Sequence, residues 1–316
     1  MKSSERSPAN RGWRAVGPAQ RPVLFINPAS GDGTAVRLEL AVRAREHGIE
    51  PIVLAPGQDL AALAQDAVAD GADALGMAGG DGSLVVVAAV ARAHELPFVC
   101  VPAGTRNHFA LDLGVARHDV IGALDAFSDG LERWIDVAEV NGRIFLNNAS
   151  LGIYGDAVQR AGYRNAKVRT LLETAQAVLG PSAAARGLEL VDELGREHTD
   201  PAVVLVSNNP YALDRPLARG TRPRLDGGEL GIVVLDRPSK SGPGLGQPWS
   251  APTLEVSARS PVHVGLDGEA VTLNPPLQFA IRPGALHVRI SSRHPGVSPS
   301  ARLIGPRYRS ARTRSG

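Results

Sequence analysis

Three glycines around one acid, in Met77-Ala78-Gly79-Gly80-Asp81-Gly82-Ser83-Leu84, are the residues whose types and spacing point most directly to chemistry. Glycines let a backbone approach a ligand closely, and a helix starting just beyond them offers unpaired N–H groups that favour an anion. The stretch therefore reads as a phosphate-binding turn. Asp81, in its middle, would be repelled by bound phosphate unless it held a magnesium ion or met a hydroxyl whose proton it could accept. Phosphoryl transfer is the chemistry this combination supports; the competing reading is an ordinary strand-to-helix turn that needs glycines.

The flanking elements must position that turn. Residues 72–78 are short and mostly apolar, as in a strand buried on both faces, and Ser83 is placed to cap a helix from Leu84 to Ala93. Two similar units share the region. Pro22 to Ile26 reads as a strand running into Asn27-Pro28-Ala29-Ser30-Gly31-Asp32-Gly33, after which Thr34 opens a helix to His47, with Val36, Leu40, Val42 and Ala44 roughly on one side. Ile52 to Leu54 gives a strand, and Asp59 caps a helix through Ala69. Pro97 to Val101 then forms a strand ending in Pro102-Ala103-Gly104-Thr105-Arg106-Asn107-His108-Phe109. Strands alternating with helices predict a parallel α/β sheet, whose ligands bind outside the carboxyl ends of the strands, where all three turns fall. Neither a G-x-G-x-x-G opening a helix nor a G-K-[ST] after the glycines is present, which disfavours a dinucleotide dehydrogenase and a P-loop NTPase.

From Trp134 onward the pattern changes to short strand-like runs separated by turn residues, among them Val203 to Val206, Gly231 to Leu235, Val262 to Val264, Leu277 to Ile281 and Leu286 to Ile290. These predict an all-β second domain, interrupted by a helix from Lys167 to Leu179 and a flexible Pro- and Gly-rich loop from Arg237 to Pro252. The expected division is a basic disordered leader (1–21), an α/β domain (22–133), a β domain (134–292) and a basic tail (293–316).

A length of 316 residues with 43% hydrophobic content suits about two globular domains. The longest apolar run, Leu84 to Ala91, is far short of the roughly 20 residues of a membrane-spanning helix. The leader lacks the apolar core of a secretory signal, so a cytoplasmic protein is expected. Cys100 is the single cysteine and lies in a strand-like run, as a core residue would. Net charge is +2, but no acid follows Glu269, and both ends are basic around an acidic middle of −8. Such tails suit peripheral contact with an anionic membrane, each base being worth about 1 kcal/mol there, or are simply solvated. The acidic body argues against nucleic-acid binding.

The three turns, in this order and spacing, resemble the catalytic region of the diacylglycerol kinase family, to which bacterial lipid kinases and sphingosine and ceramide kinases are similar. The resemblance extends through Asn147-Asn148-x-Ser150-x-Gly152, Asp226-Gly227-Gly228 and Asp267-Gly268-Glu269. It implies a phosphofructokinase-like α/β nucleotide domain, a C-terminal β-sandwich domain, and ATP with Mg2+ as cofactors in the cleft between them. By the same resemblance, Asn27, Ser30, Gly31 and Gly33 border the nucleotide, Gly79, Gly80, Asp81, Gly82 and Ser83 take its phosphates, and Thr105 and Asn107 donate side-chain hydrogen bonds. Glu269 carries the role of general base on the acceptor hydroxyl, Asp267 is second choice, and Asp81 works through magnesium or an ordered water. Taken alone, D-G-E is a hairpin turn; if extended, both acids could face one way.

The chain also departs from the family. His108 stands where many relatives have Asp, Leu111 lies near a usual Arg, and Leu54 replaces a frequent Thr. Gly227 replaces a second acid beside Asp226, which puts the structural magnesium site expected at Asp226 in doubt. The implied activity is transfer of the ATP γ-phosphate to a hydroxyl of diacylglycerol or a related lipid; a homodimer is left open. Alternatives are a kinase of a soluble acceptor such as NAD or a sugar phosphate, and a catalytically weak nucleotide- or lipid-binding regulator.

Overall fold

The computed structural model describes residues 12–152, 187–213, 220–236 and 248–304. Consecutive apolar residues need cover on both faces of a sheet. After a short edge strand β1 (Arg14–Val16) come β2 (Pro22–Ile26), β3 (Glu50–Val53), β4 (Ala74–Ala78) and β5 (Phe98–Val101), parallel and in the spatial order β3-β2-β4-β5. Every residue of β2, β4 and β5 is buried. Strand alternation sends Phe25, Met77 and Cys100 to one face and Ile26, Ala78 and Val101 to the other. The crossovers hold α1 (Thr34–Arg37), α2 (Leu40–Glu46), α3 (Leu60–Ala69) and α4 (Asp81–Ala93), and α5 (His108–Leu113) follows β5. Helices α3 and α4 cover the first face, while α2 and a 3-10 turn at Gly122–Phe127 cover the second.

The later strands are β6 (Gly130–Val140), β7 (Arg143–Phe145), β8 (Asn148–Leu151), β9 (Glu189–Val191), β10 (Glu197–Thr199), β11 (Val203–Asn208), β12 (Leu230–Leu235), β13 (Trp249–Ala251), β14 (Thr253–Val256), β15 (Val262–Leu266), β16 (Glu269–Leu273) and β17 (Leu277–Ser291), followed by α6 (Pro299–Ile304). Among the described residues, β13-β12-β11-β8-β15-β16 form an antiparallel sheet. Its inner face, with Leu151, Val204, Ile232 and Val264, packs on Val140, Phe145, Leu254 and Phe279 from β6, β7, β14 and β17. The result is a β-sandwich joined to an α/β layer, the fold class expected from the sequence.

The two layers share strands. The expected boundary between residues 133 and 134 falls inside β6, which pairs along its length with β17, and β17 in turn runs parallel to β5 through Val288↔Phe98 and Arg289↔Val99. The two separate strands expected at 277–281 and 286–290 are this one strand, irregular between Arg282 and Leu286, where Gly284 N–H donates to Asp136 Oδ1 at 2.9 Å. Part of the leader expected to be disordered is ordered: β1 pairs with β6, and the backbone N–H groups of Gln20 and Arg21 donate to Asp73. Part of the basic tail is ordered too, with His294 against Asp119 and α6 beyond it. Residues 1–11 and 305–316, the helix expected at 167–179 and residues 237–247 of the expected loop lie outside the described residues; Trp249–Ala251 of that loop is strand.

Two helix starts differ from expectation. The helix expected over 34–47 is broken at Glu39, which takes φ +48. Restarting at Leu40 places Leu40 and Ala44 in the same core as Ala35 and leaves Val36 and Val42 exposed. Helix α4 starts at Asp81 rather than Leu84, with extended Gly80 at the N-cap, so Ser83 lies in the first turn and is not the cap. Asp59 does cap α3, accepting from the N–H groups of Ala61 and Ala62.

Candidate active site

The three glycine turns meet where β2, β4 and β5 end. Asn27 sets the first turn: its N–H donates to Ala78 O at 2.9 Å and its Oδ1 accepts from Ala29 N–H at 3.0 Å. Gly31 has φ +57, and a Cβ there would overlap the Ala103 carbonyl of the third turn. A Cβ on Gly104 would lie 2.8 Å from Gly79 O, so the third turn also presses on the second. Above Gly80, by contrast, an added Cβ would meet only Ser30 Oγ, at 4.0 Å. The backbone is thus tightly joined beneath a space that opens over Gly80, and no side chain caps the first N–H groups of α4. The uncapped, positive end of this 13-residue helix suits a phosphate.

Asp81 is the acid at this helix start. Its Oδ1 is buried and has no hydrogen-bond partner, while Asn147 hydrogen-bonds its carboxylate. Burial pushes Asp81 up to about 6, against the opposing pull of Asn147 and of the Arg222 charge. Glu269 lies across the turn. A Cβ on Gly82 would overlap its carboxylate, which places that exposed side chain over the glycine one residue after Asp81.

Asp267 behaves differently from Glu269, because D-G-E is the hairpin turn of the two alternatives and not the extended one in which both acids could face one way. Leu266 pairs with Glu269 across a two-residue turn in which Asp267 has φ +48 and Gly268 φ +93, the left-handed pair of a tight hairpin. Glu269 is thereby turned outward and Asp267 inward, where it accepts N–H bonds from Leu146 (2.6 Å), Asn147 (2.7 Å) and Asn148 (3.1 Å). Burial raises Asp267 to about 7, with Asp81 adding to the rise and the amide donors opposing it. Its geometry is that of a clamp on the turn before β8.

Asn107 is also turned away from a ligand. Its Nδ2 donates to Pro102 O and Arg117 O, and its Oδ1 accepts from Gly104 N–H, so both amide hydrogens hold the loop itself. Thr105 is exposed on the same turn, Ser30 and Ser83 are half-buried at the rim, and Gly33, with φ +76, leads into α1. Leu54 packs with the apolar core, as its side chain requires.

Asp226, the residue expected to hold a structural magnesium ion, is engaged by a guanidinium. Its Oδ1 accepts from Arg224 Nε at 3.0 Å, and Gly227 and Gly228 donate their N–H groups to Asn209 and Asp136. No three acidic, histidine or cysteine side chains gather into a metal-holding group among the described residues. The loop is held by hydrogen bonds and a guanidinium where the family resemblance implied magnesium.

Sequence reasoning missed the group behind Asp81. Arg222 is fully buried and pairs with Asp112 of α5, through Nε at 2.9 Å and Nη2 at 2.7 Å. Nη1 donates to the carbonyls of Leu146 and Asn208, and Nη2 also reaches Asn147 Oδ1 at 3.1 Å. One signal pointed to it: Asp112 stands three residues after Phe109, on that residue's buried helix face, so it needed an interior partner. A separate cavity of about 580 Å3, with Arg21, Arg45, Glu50 and Asp70 in its wall, lies at the opposite, amino ends of the strands.

Comparison with known proteins identifies the family. The family model described as the diacylglycerol kinase catalytic domain matches residues 21–140. The protein of Pseudomonas fluorescens named "Probable lipid kinase YegS-like" is 30% identical over 256 residues, covering 75% of this chain and 84% of that one. Its namesake in Pseudomonas aeruginosa is 29% identical, over 86% and 95% of the two chains. The crystal structure of a diacylglycerol kinase from Bacillus anthracis superposes with a TM-score of 0.59 at 19% identity, covering 87% of this chain and 98% of that one. The shared domain model and the near-full-length relatives lead to one conclusion: this chain belongs to the diacylglycerol kinase catalytic family of lipid kinases.

Proposed function

We propose that the protein is an ATP-dependent kinase that transfers the γ-phosphate to a hydroxyl of diacylglycerol or a related lipid. The observation that carries the reading is the unpartnered, buried Oδ1 of Asp81 at the uncapped start of α4, with the Glu269 carboxylate over the adjoining Gly82. A hard divalent cation fits this donor, since magnesium takes oxygen ligands, often one or two carboxylates together with substrate phosphates. When bound, it neutralises charge on the transferring phosphoryl group. The first N–H groups of α4 bind phosphate oxygens, the first and third turns border the nucleotide, and Asp81 holds the cation.

Glu269 is the base. The acceptor oxygen bonds to the γ-phosphorus, the bond from that phosphorus to the bridging β-γ oxygen breaks, ADP leaves, and the hydroxyl proton passes to the Glu269 carboxylate. Asp267 positions Glu269 and the Asn147 turn without touching the reacting atoms. The described residues include no helix long and apolar enough to cross a membrane; in this reading the lipid is reached from the bilayer surface. Transfer from γ-labelled ATP to mixed-micelle lipids and to soluble acceptors tests the reading. Transfer to a lipid hydroxyl, lost in Asp81→Ala and Glu269→Ala, is expected; transfer to a soluble acceptor alone, or ATP binding without turnover, overturns it.

A further inference from the structure

The fully buried guanidinium of Arg222 spends all five of its N–H donors. Nε and one Nη2 hydrogen go to Asp112, the two on Nη1 go to the carbonyls of Leu146 and Asn208, and the last, on Nη2, goes to Asn147 Oδ1. Arginine has no acceptor atom. The Asn147 amide can therefore face Arg222 only with its oxygen, and its Nδ2 must turn the other way, toward Asp81, with which Asn147 hydrogen-bonds. The Asn147 backbone is fixed as well, its N–H on Asp267 and its carbonyl accepting from Asn208 N–H. Asp81 thus has the Asn147 donor on its carboxylate, while its buried Oδ1 has no partner.

We propose that Arg222, acting through the Asn147 amide, is the positioning residue that aims the Asp81 carboxylate into the phosphate turn. The inference rests on Asp81 as the cation-holding acid and adds what orients it. Without Arg222 the amide is free to rotate and present its oxygen to Asp81, which would push the carboxylate off its line. Asp112 belongs to α5, just after the third turn, so the same contact ties that turn to the second. The Ser298 hydroxyl, donating to Arg222 O at 2.6 Å, fixes the arginine from the C-terminal side.

Two variants test this in the full chain. Asn147→Leu keeps the branched four-atom shape, though it is bulkier, and removes the amide, and four of the five Arg222 donors keep their partners. The double variant Asp112→Leu with Arg222→Met removes both buried charges together, which avoids stranding either one. Folding is checked by thermal melting, and Mn2+ binding in the presence of ATP is read by water-proton relaxation alongside kinase kinetics. In both variants half-saturating Mn2+ is expected to rise about tenfold or more, the range seen when a group orienting a metal ligand is lost. Turnover falls in parallel, while KM for ATP changes less than about threefold. Folded variants with altered melting but unchanged Mn2+ affinity and turnover overturn the proposal. Asp81→Ala separates the two claims: if it leaves Mn2+ binding intact, the reading of Asp81 fails; if it abolishes binding while Asn147→Leu does not, only the positioning role fails.

Discussion

Replacing Asp81 with asparagine should stabilise this protein while inactivating it. In the folded chain, burial lifts the Asp81 carboxyl from its ordinary 3.8 to about 6. At 1.36 kcal/mol per pK unit, that rise means the ionised side chain opposes folding by about 3 kcal/mol. The sign is unusual for an aspartate. Because the folded state holds the proton more tightly than the unfolded chain, wild-type stability declines as pH rises from 3.8 to about 6 and the full cost persists above it. The amide of the Asp81→Asn variant cannot ionise, so variant and wild type should differ little near the bottom of that window and by about 3 kcal/mol at neutral pH. Urea unfolding of both proteins at about pH 4.5, 6 and 7.5 measures the gap. The refuting result is a gap that fails to widen with pH, or a variant less stable than wild type at neutral pH; either would mean that the buried charge is compensated more fully than a carboxyl pushed up to about 6 allows. Magnesium with ATP should narrow the gap by stabilising only the wild type.

Other expectations concern the surrounding residues. Glu269→Gln should lower turnover by about 10²- to 10⁴-fold, the usual range for a general base, with ATP affinity by calorimetry nearly unchanged. Asp267→Ala strips the acceptor from two buried and one half-buried backbone N–H groups and should cost about 3 kcal/mol in urea unfolding near pH 4. It should cost less at neutral pH, where the burial that pushes this carboxyl up to about 7 already opposes folding of the ionised wild type. Gly104→Ala places a methyl group against Gly79 O. Prying the second and third turns apart should lower kcat/KM for ATP by about 100-fold, and an unchanged value would mean that the turns need not touch.

Much of the α/β layer was legible because its strands follow a strict rule: residues alternate between two covered faces, so β2, β4 and β5 read as unbroken apolar runs between glycine turns. The turns were legible for the same local reason, since glycine placement reports where backbones must approach. What escaped was set by distance along the chain. Arg222 and Asp112 are 110 residues apart, and an arginine among prolines and glycines ordinarily lies on the surface. The inward turn of Asp267 depended on whether Asp267-Gly268 was a tight hairpin or extended, a choice made by the pairing of β15 with β16. The break at Glu39 is likewise tertiary, because the core that receives Leu40 and Ala44 is built partly from residues 120–127.

Strand β17 has a consequence for the order in which the protein is made. It supplies the parallel neighbour of β5 and the antiparallel partner of β6 from residues 277–291, more than 170 positions after β5 emerges from the ribosome. Until then β5 has an open edge on that side, and the glycine turns rest on an unfinished layer. Assembly therefore cannot proceed vectorially, one half before the other. The sandwich hairpin carrying Glu269 leaves the ribosome only a few residues ahead of the strand that closes the nucleotide layer, so the two halves of the site become competent together.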